Sequence, residues 1–236
     1  MNSVIRNLWG LALAAGLVAC SGNTVQGDYQ VVPLPQSVTV AEGSAFVLNS
    51  SVKVYYPTGN SEMAANAQFL SDYVKELTGF GLTAAEGEGK GIVLALDGSI
   101  ANAEGYRMEV NAQGVRIAGA TPAGVFYGIQ TLRKSIPANA EGANVSLPAA
   151  TIEDAPRFSY RGMMLDVGRH YIAPDSVKQF IDMLALHNMN RMHWHLSEDQ
   201  GWRIEIKQYP ELTQIGSKRK ETVIGRNSGQ YDGKPY

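Results

Sequence analysis

Residues 161–203 read RGMMLDVGRHYIAPDSVKQFIDMLALHNMNRMHWHLSEDQGWR and constrain the fold more than any other stretch. An apolar run, 163–167, carries one charge, Asp166, and ends in Gly168-Arg169-His170. Pro174-Asp175-Ser176 then opens a helical pattern in which Val177, Phe180, Ile181, Leu184 and Leu186 share a face. His187-Asn188 closes it, and a second apolar run, 189–196, leads into Glu198 and Asp199. Two strands joined by one helix imply a parallel βαβ unit. In parallel α/β folds ligands bind at the carboxyl ends of the strands, and the polar residues gather there. All four histidines of the chain fall within this stretch.

What precedes it reads as a small α+β domain, residues 31–150. VVPLPQSVTV from Val31 is β-branched and broken by prolines, as an edge strand is. Runs at 46–48 and 52–56 suggest further strands. Residues 61–78 form a helical pattern: Ser61 is placed to cap it, Met63, Ala67, Leu70, Val74 and Leu77 share a face, and Gly79 stops it. A strand at 91–96, a hairpin at 105–118 about Asn111-Ala112-Gln113 and a Pro122-initiated helix over 121–136 follow. Residues 138–148 read as the connection out of this domain. It holds no His and no Cys, and its carboxylates are scattered, so it offers no catalytic constellation.

The first twenty residues stand apart. Arg6 precedes an apolar run over 8–19, shorter than the ~20 residues of a membrane span. It ends in Leu17-Val18-Ala19-Cys20, which resembles a bacterial lipobox. Cys20 is the only cysteine, so no internal disulfide forms. It is expected to take a lipid and hold an exported protein to a membrane, in the periplasm or at the cell surface. Residues 21–30 are expected to be a tether. A net charge of −2 over 236 residues, with no basic stripe, gives no basis for nucleic-acid binding.

Several residues of the central stretch could carry chemistry. A carboxylate inside an apolar strand needs a partner, and Arg169 and His170 are Asp166's nearest candidates. The partnership could be a plain ion pair or a group aimed at a ligand. His193 and His195 face the same side of a strand, so a metal site or a hydrogen-bonded pair are both open. Glu198 and Asp199 are adjacent, so in an extended segment they point opposite ways and only one enters a shared pocket. A Trp within an apolar strand, such as Trp194, reads as core.

Arg161-Gly162, Leu165-Asp166-Val167-Gly168-Arg169-His170 and His193-Trp194-His195-Leu196-Ser197-Glu198-Asp199-Gln200-Gly201-Trp202-Arg203 resemble the start of the catalytic domain of family 20 glycoside hydrolases, the β-N-acetylhexosaminidases. AGVFYGIQTL at 123–132 resembles the last helix of that family's small N-terminal domain. The resemblance implies a (β/α)8 TIM barrel from residue 151 onward, of which residues 151–236 supply about two strands. It implies release of terminal β-linked N-acetylglucosamine or N-acetylgalactosamine from a glycan. The mechanism would be retaining, with the substrate's own acetamido oxygen as nucleophile and no metal or other cofactor.

Residue by residue, Arg169 matches the family arginine that grips the sugar's 3- and 4-hydroxyls. Glu198 matches a carboxylate, often Asp, that supports the catalytic acid. Asp166, His170, His195 and Asp199 match residues of the site's floor and rim. The family's adjacent Asp-Glu catalytic pair has no counterpart up to Tyr236. It is expected downstream, and this chain alone is expected to be inactive. Two other readings stand beside this one: a metal-dependent hydrolase using His193 and His195, and a non-enzymatic surface glycan-binding module.

Overall fold

In a computed structural model of the chain, residues 23–226 and 228–236 are described. Cys20 and the expected signal lie outside them. The chain runs β1 (Thr24–Gln26), β2 (Ser37–Val40), β3 (Phe46–Leu48), β4 (Lys53–Tyr56), α1 (Ser61–Thr78), β5 (Thr83–Glu86), β6 (Gly91–Leu96), β7 (Tyr106–Asn111), β8 (Gly114–Gly119), α2 (Pro122–Ser135), β9 (Asn144–Leu147) and β10 (Ala150–Asp154). Then follow β11 (Gly162–Asp166), α3 (Pro174–Leu186), β12 (Arg191–His195), β13 (Ser197–Glu198), β14 (Gly201–Trp202) and α4 (Pro210–Gln214).

The N-terminal part is a seven-stranded mixed sheet in the order β2-β10-β7-β8-β6-β4-β5, with a second, three-stranded sheet β1-β9-β3. Period-two alternation gives the large sheet one buried face: Tyr106, Met108 and Val110 of β7 and Val115 and Ile117 of β8 point inward. On the outer face Arg107 pairs with Glu153 directly across the strands. Helices α1 and α2 pack on the inner face and against each other. The main core cluster lies wholly in this part, with Leu48, Leu70, Ile92, Met108, Ile117 and Leu132 among its large buried side chains.

Local chemistry explains the element ends. Asn60, not the expected Ser61, caps α1: its Oδ1 accepts the Met63 N–H at 3.0 Å. Gly79 ends α1 in the left-handed conformation that glycine adopts without steric cost, φ 83°. Two glycines of the 123–132 segment let α2 approach its neighbours closely. A Cβ on Gly124 would strike the Gly105 carbonyl, and one on Gly128 would strike Ile117.

Three expectations are corrected. The tether ends earlier: Val25 pairs in register with Val145, the Gly27 N–H donates to the Ser146 carbonyl at 2.9 Å, and Tyr29 is buried. The first edge strand starts at Ser37 rather than Val31, because Pro33 and Pro35 lack the N–H a ladder needs. The connection over 138–148 contains β9, and the strand that follows it, β10, sits between β2 and β7.

The second part is built on β11 and β12, which pair in parallel in the register Met164↔His193, Leu165↔Trp194, Asp166↔His195. With α3 between them they form the expected βαβ unit. Only Val177 and Leu184 of α3 are buried, and Trp194, expected in a core, is 47% exposed. Met163, Met164 and Trp194 of the strand pair are all about half exposed, unlike the side chains of a parallel sheet covered on both faces.

One carboxylate joins the parts. Glu104, in the loop before β7, accepts from Arg161 Nη1 at 2.9 Å, from Asn190 Nδ2 at 3.0 Å and from the Tyr127 hydroxyl at 3.1 Å. Arg161 precedes β11 and Asn190 precedes β12, so Glu104 ties together the amino ends of both strands. The Arg161 guanidinium holds the Glu104 carboxyl below its ordinary range against the pull of desolvation. On the other side of the junction Lys134 of α2 donates to the Leu186 carbonyl at the end of α3, 3.0 Å.

Candidate functional site

The register that sets Asp166 opposite His195 places both at the carboxyl end of the strand pair, on one face. The chain then turns sharply after β11. Asp166 Oδ1 accepts the main-chain N–H groups of Gly168 and Arg169, each at 3.0 Å, so the turn is closed by the carboxylate that ends the strand. This folds Arg169 back, and its Nη1 meets Asp166 Oδ2 at 2.5 Å. Its Nη2 meets Glu198 Oε2 at 3.0 Å, and His195 Nε2 lies 3.1 Å from the same oxygen. Asp166, Arg169, Glu198 and His195 thus form one continuous chain of contacts.

Glu198 reaches Arg169 because β13 and β14 make a tight antiparallel pair, Glu198↔Gly201, turned at Asp199-Gln200. Two glycines make room for it. A Cβ on Gly168 would come within 3.0 Å of the Glu198 Cβ, and one on Gly201 would collide with the Arg203 guanidinium and the Gly168 carbonyl. The main-chain carbonyl of Asp199 accepts from Arg219 Nη2 at 2.7 Å, and the Asp199 charge adds to the field that keeps Arg169 protonated.

The electrostatics follow from this packing. Desolvation raises the affinity of the Asp166 carboxyl for a proton. The hydrogen bonds from the Arg169 N–H and guanidinium and the Gly168 N–H outweigh it, so Asp166 sits below the usual carboxylate range. Arg169 is held more firmly protonated than usual by its bond to Asp166 and by the Glu198 charge. A guanidinium offers five N–H donors. With one spent on each carboxylate, the rest remain for a ligand rich in hydroxyls.

The other candidates divide. His170 is exposed and lines a cleft beside Arg169. The His193 ring lies nearly parallel to that of His195, centroids 6.3 Å apart. His195 Nε2 is engaged with Glu198 and, at 3.0 Å, with the Ser197 carbonyl. Among the described residues no three His, Cys, Asp or Glu side chains converge as a metal would require.

Arg203 was given no role by sequence reasoning. Its guanidinium binds the carbonyls of Val167 (2.8 Å), Gly168 (3.2 Å) and Ser217 (2.9 Å), and stacks on Tyr236 at 4.7 Å. It fixes the carbonyl side of the turn whose N–H side Asp166 fixes. The available signal was a lone arginine directly after a Gly-Trp pair; carbonyl ligation leaves no pattern in a sequence.

The fold and its polar end define the opening βαβ unit of a parallel α/β protein, preceded by an α+β domain. Comparison with known proteins gives the family. Residues 28–155 match the model of glycosyl hydrolase family 20, domain 2, and residues 158–234 match the family 20 catalytic domain. The chain belongs to glycosyl hydrolase family 20. It is 36% identical over 231 residues to a beta-hexosaminidase of Porphyromonas gingivalis, covering 91% of this chain and 29% of that protein. To a beta-N-acetylhexosaminidase of Cellulomonas fimi it is 31% identical, covering 86% and 41%. A solved mutant Streptomyces plicatus beta-hexosaminidase in complex with the product GlcNAc superposes with a TM-score of 0.75 at 34% identity, over 84% of this chain and 40% of that one. The chain therefore spans well under half the length of these relatives. Its fold is domain 2 plus the start of the catalytic domain, a TIM barrel in the homologues; two barrel strands form here, without closure.

Proposed function

We propose that the protein acts as an exo-β-N-acetylhexosaminidase, removing terminal β-linked N-acetylglucosamine or N-acetylgalactosamine from glycans. The observation that carries this is Arg169, clamped between Asp166 and Glu198 at the carboxyl end of the parallel strand pair, with donors left over. Family membership supports it. A charged donor balanced by two carboxylates suits a neutral sugar edge: it supplies direction without a net field that would favour ions.

In this reading Arg169 holds the sugar's 3- and 4-hydroxyls, and Glu198 orients Arg169 and His195 around the site. Asp166 fixes the turn that presents Arg169, while His170 and Asp199 border the rim. The acetamido oxygen of the substrate attacks the anomeric carbon, so configuration is retained without an enzyme nucleophile. That scheme needs a general acid and a carboxylate facing the acetamide, which the family supplies as an adjacent Asp-Glu pair. Residues 1–236 contain no Asp-Glu in that order. The chain 1–236 is therefore expected to leave a chromogenic β-N-acetylglucosaminide intact, and the protein expressed from the whole reading frame to hydrolyse it with retention. Turnover by residues 1–236 alone would overturn the assignment of roles; no turnover by the whole protein would overturn the function.

The address rests on Cys20, and export with lipid attachment there completes the proposal. Metabolic labelling with a tagged fatty acid should mark the wild-type protein and not Cys20→Ser; equal labelling of both would contradict it.

A further inference from the structure

Asn23 is already held by the fold. Its carbonyl accepts the Asn144 N–H at 2.8 Å, and Thr24 and Val25 pair in register with Asn144 and Val145. Only Ser21 and Gly22 stand between Asn23 and Cys20. One residue step spans at most ~3.6 Å, so the Cα atoms of Cys20 and Asn23 lie no more than about 11 Å apart. A lipid on Cys20 places that residue at the boundary between hydrocarbon and headgroups. The polar layer outside that boundary is about 5–8 Å thick. Asn23 then stands at most about 6 Å beyond the headgroups. A connection this short fixes which end of the domain meets the bilayer.

Four segments meet at that end. β1 and β9 are parallel, so both start there. β3 runs against β9, with Leu48 opposite Val145, which sets the turn after β3 beside the start of β9. Asn49 closes this turn: its Oδ1 accepts the Ser51 N–H at 2.9 Å and the Ser51 hydroxyl at 2.6 Å, and its carbonyl accepts the Val52 N–H at 3.1 Å. The Gly142 N–H donates to the Thr78 carbonyl at 2.9 Å, so the carboxyl end of α1 abuts the turn before β9. Ser50, Ser51, Gly79, Glu141 and Gly142 are exposed there. These side chains are small or polar, unlike the Lys/Arg- and Trp/Phe-rich surfaces that bind a bilayer unaided. The link to Cys20, rather than an affinity of its own, would hold such a face against lipid. No residue of the candidate site belongs to it, so a bilayer can cover it without touching Arg169.

We propose that this end of the small domain is a membrane-facing surface, held against the lipid headgroups by the short connection from Asn23 to Cys20. This rests on the lipid attachment in the proposed function, whereas the choice of face rests on the pairing of β1. Helix α1 has 18 residues, about 27 Å at 1.5 Å per residue. Its carboxyl end lies on the proposed face, and its amino end, with Glu62 in the first turn, points away from the bilayer.

The test places one fluorescent non-canonical amino acid at Ser51, Glu141 or Glu62, all exposed positions, in the whole protein with Cys20 intact. Each protein is reconstituted into phosphatidylcholine vesicles containing a lipid with a nitroxide on its headgroup, which quenches at short range. Quenching at Ser51 and Glu141 should be at least twofold stronger than at Glu62. A Gly/Ser insert of about 20 residues after Gly22 adds a coil of about 25 Å mean reach and should bring Ser51 and Glu141 down to the Glu62 level. Equal quenching at all three positions without the insert overturns the proposed face. Strong quenching at Ser51 and Glu141 that survives the insert overturns the part given to the short connection. Mass spectrometry of the same samples reads the lipid on Cys20. Lipid present with equal quenching sinks the face alone and leaves the attachment standing; lipid absent sinks the attachment and the face with it.

Discussion

At the residue scale, Asp166 has two tasks. It accepts two main-chain N–H groups that close the turn, and it holds the guanidinium that the turn presents. Sequence reading located the residue and left its partnership open between a plain ion pair and a ligand-facing group. The structure shows the pair and the turn together, which no spacing argument could, because the turn exists only once the carboxylate has folded the chain back on itself. Asp166→Asn keeps the shape, loses the charge and leaves Arg169 with Glu198 alone. Hydrogen bonds to charged groups contribute about 1.5–3 kcal/mol. In the whole protein, kcat/KM should therefore fall about 10- to 100-fold, at ~1.4 kcal/mol per decade, with most of the loss in KM. An unchanged KM would show that Arg169 does not depend on Asp166.

At the element scale, what was legible had a local cause and what was missed had a distant one. Helix α1 and the β7–β8 hairpin announced themselves by periodicity and by Gly79 and Asn111. Strands β9 and β10 did not: Asn144–Leu147 has only four residues in a Gly- and Pro-bounded segment, and its strand identity comes from β1 and β3 on either side. The same holds for β1, drawn into a sheet by a partner 120 residues away in sequence. The AGVFYGIQTL segment was recognised as a pattern, and the structure supplies its reason: α2 lies so close that Gly124 touches the Gly105 carbonyl. A main-chain oxygen cannot rotate away as a side chain can. Gly124→Ala should thus behave as an overpacked site and cost about 1–3 kcal/mol, despite alanine's higher helix propensity. Equilibrium urea unfolding would show it, and a stabilised variant would mean that α2 can shift away without loss.

At the scale of the whole molecule, the small domain acts as a mould for the amino ends of β11 and β12 through Glu104, while the candidate site occupies their carboxyl ends. The Glu104 carboxyl is lowered, first by its bond to Arg161. Its contribution is therefore present above the ordinary glutamate value of about 4.3 and is lost as pH falls through the lower folded value. Beyond Trp9, both tryptophans, Trp194 and Trp202, lie in the second part, so their emission reports on it. The wild-type emission should change below the ordinary carboxylate range, and Glu104→Gln should show the acid-like emission already at neutral pH. Identical emission in both proteins at every pH would mean that Glu104 does not hold the two parts together.

The central claim is that Arg169, held by Asp166 and Glu198, is the group that grips the sugar. The measurement that meets it most directly is steady-state hydrolysis of an aryl β-N-acetylglucosaminide by the whole protein carrying Arg169→Lys. Lysine keeps the charge but cannot bridge two carboxylates and still present a planar fork. The account predicts a fall in kcat/KM of about 100-fold or more, on the scale of two lost charged hydrogen bonds, with the thermal midpoint close to wild type because the side chain is half exposed. A variant that hydrolyses the substrate as the wild type does would contradict the account.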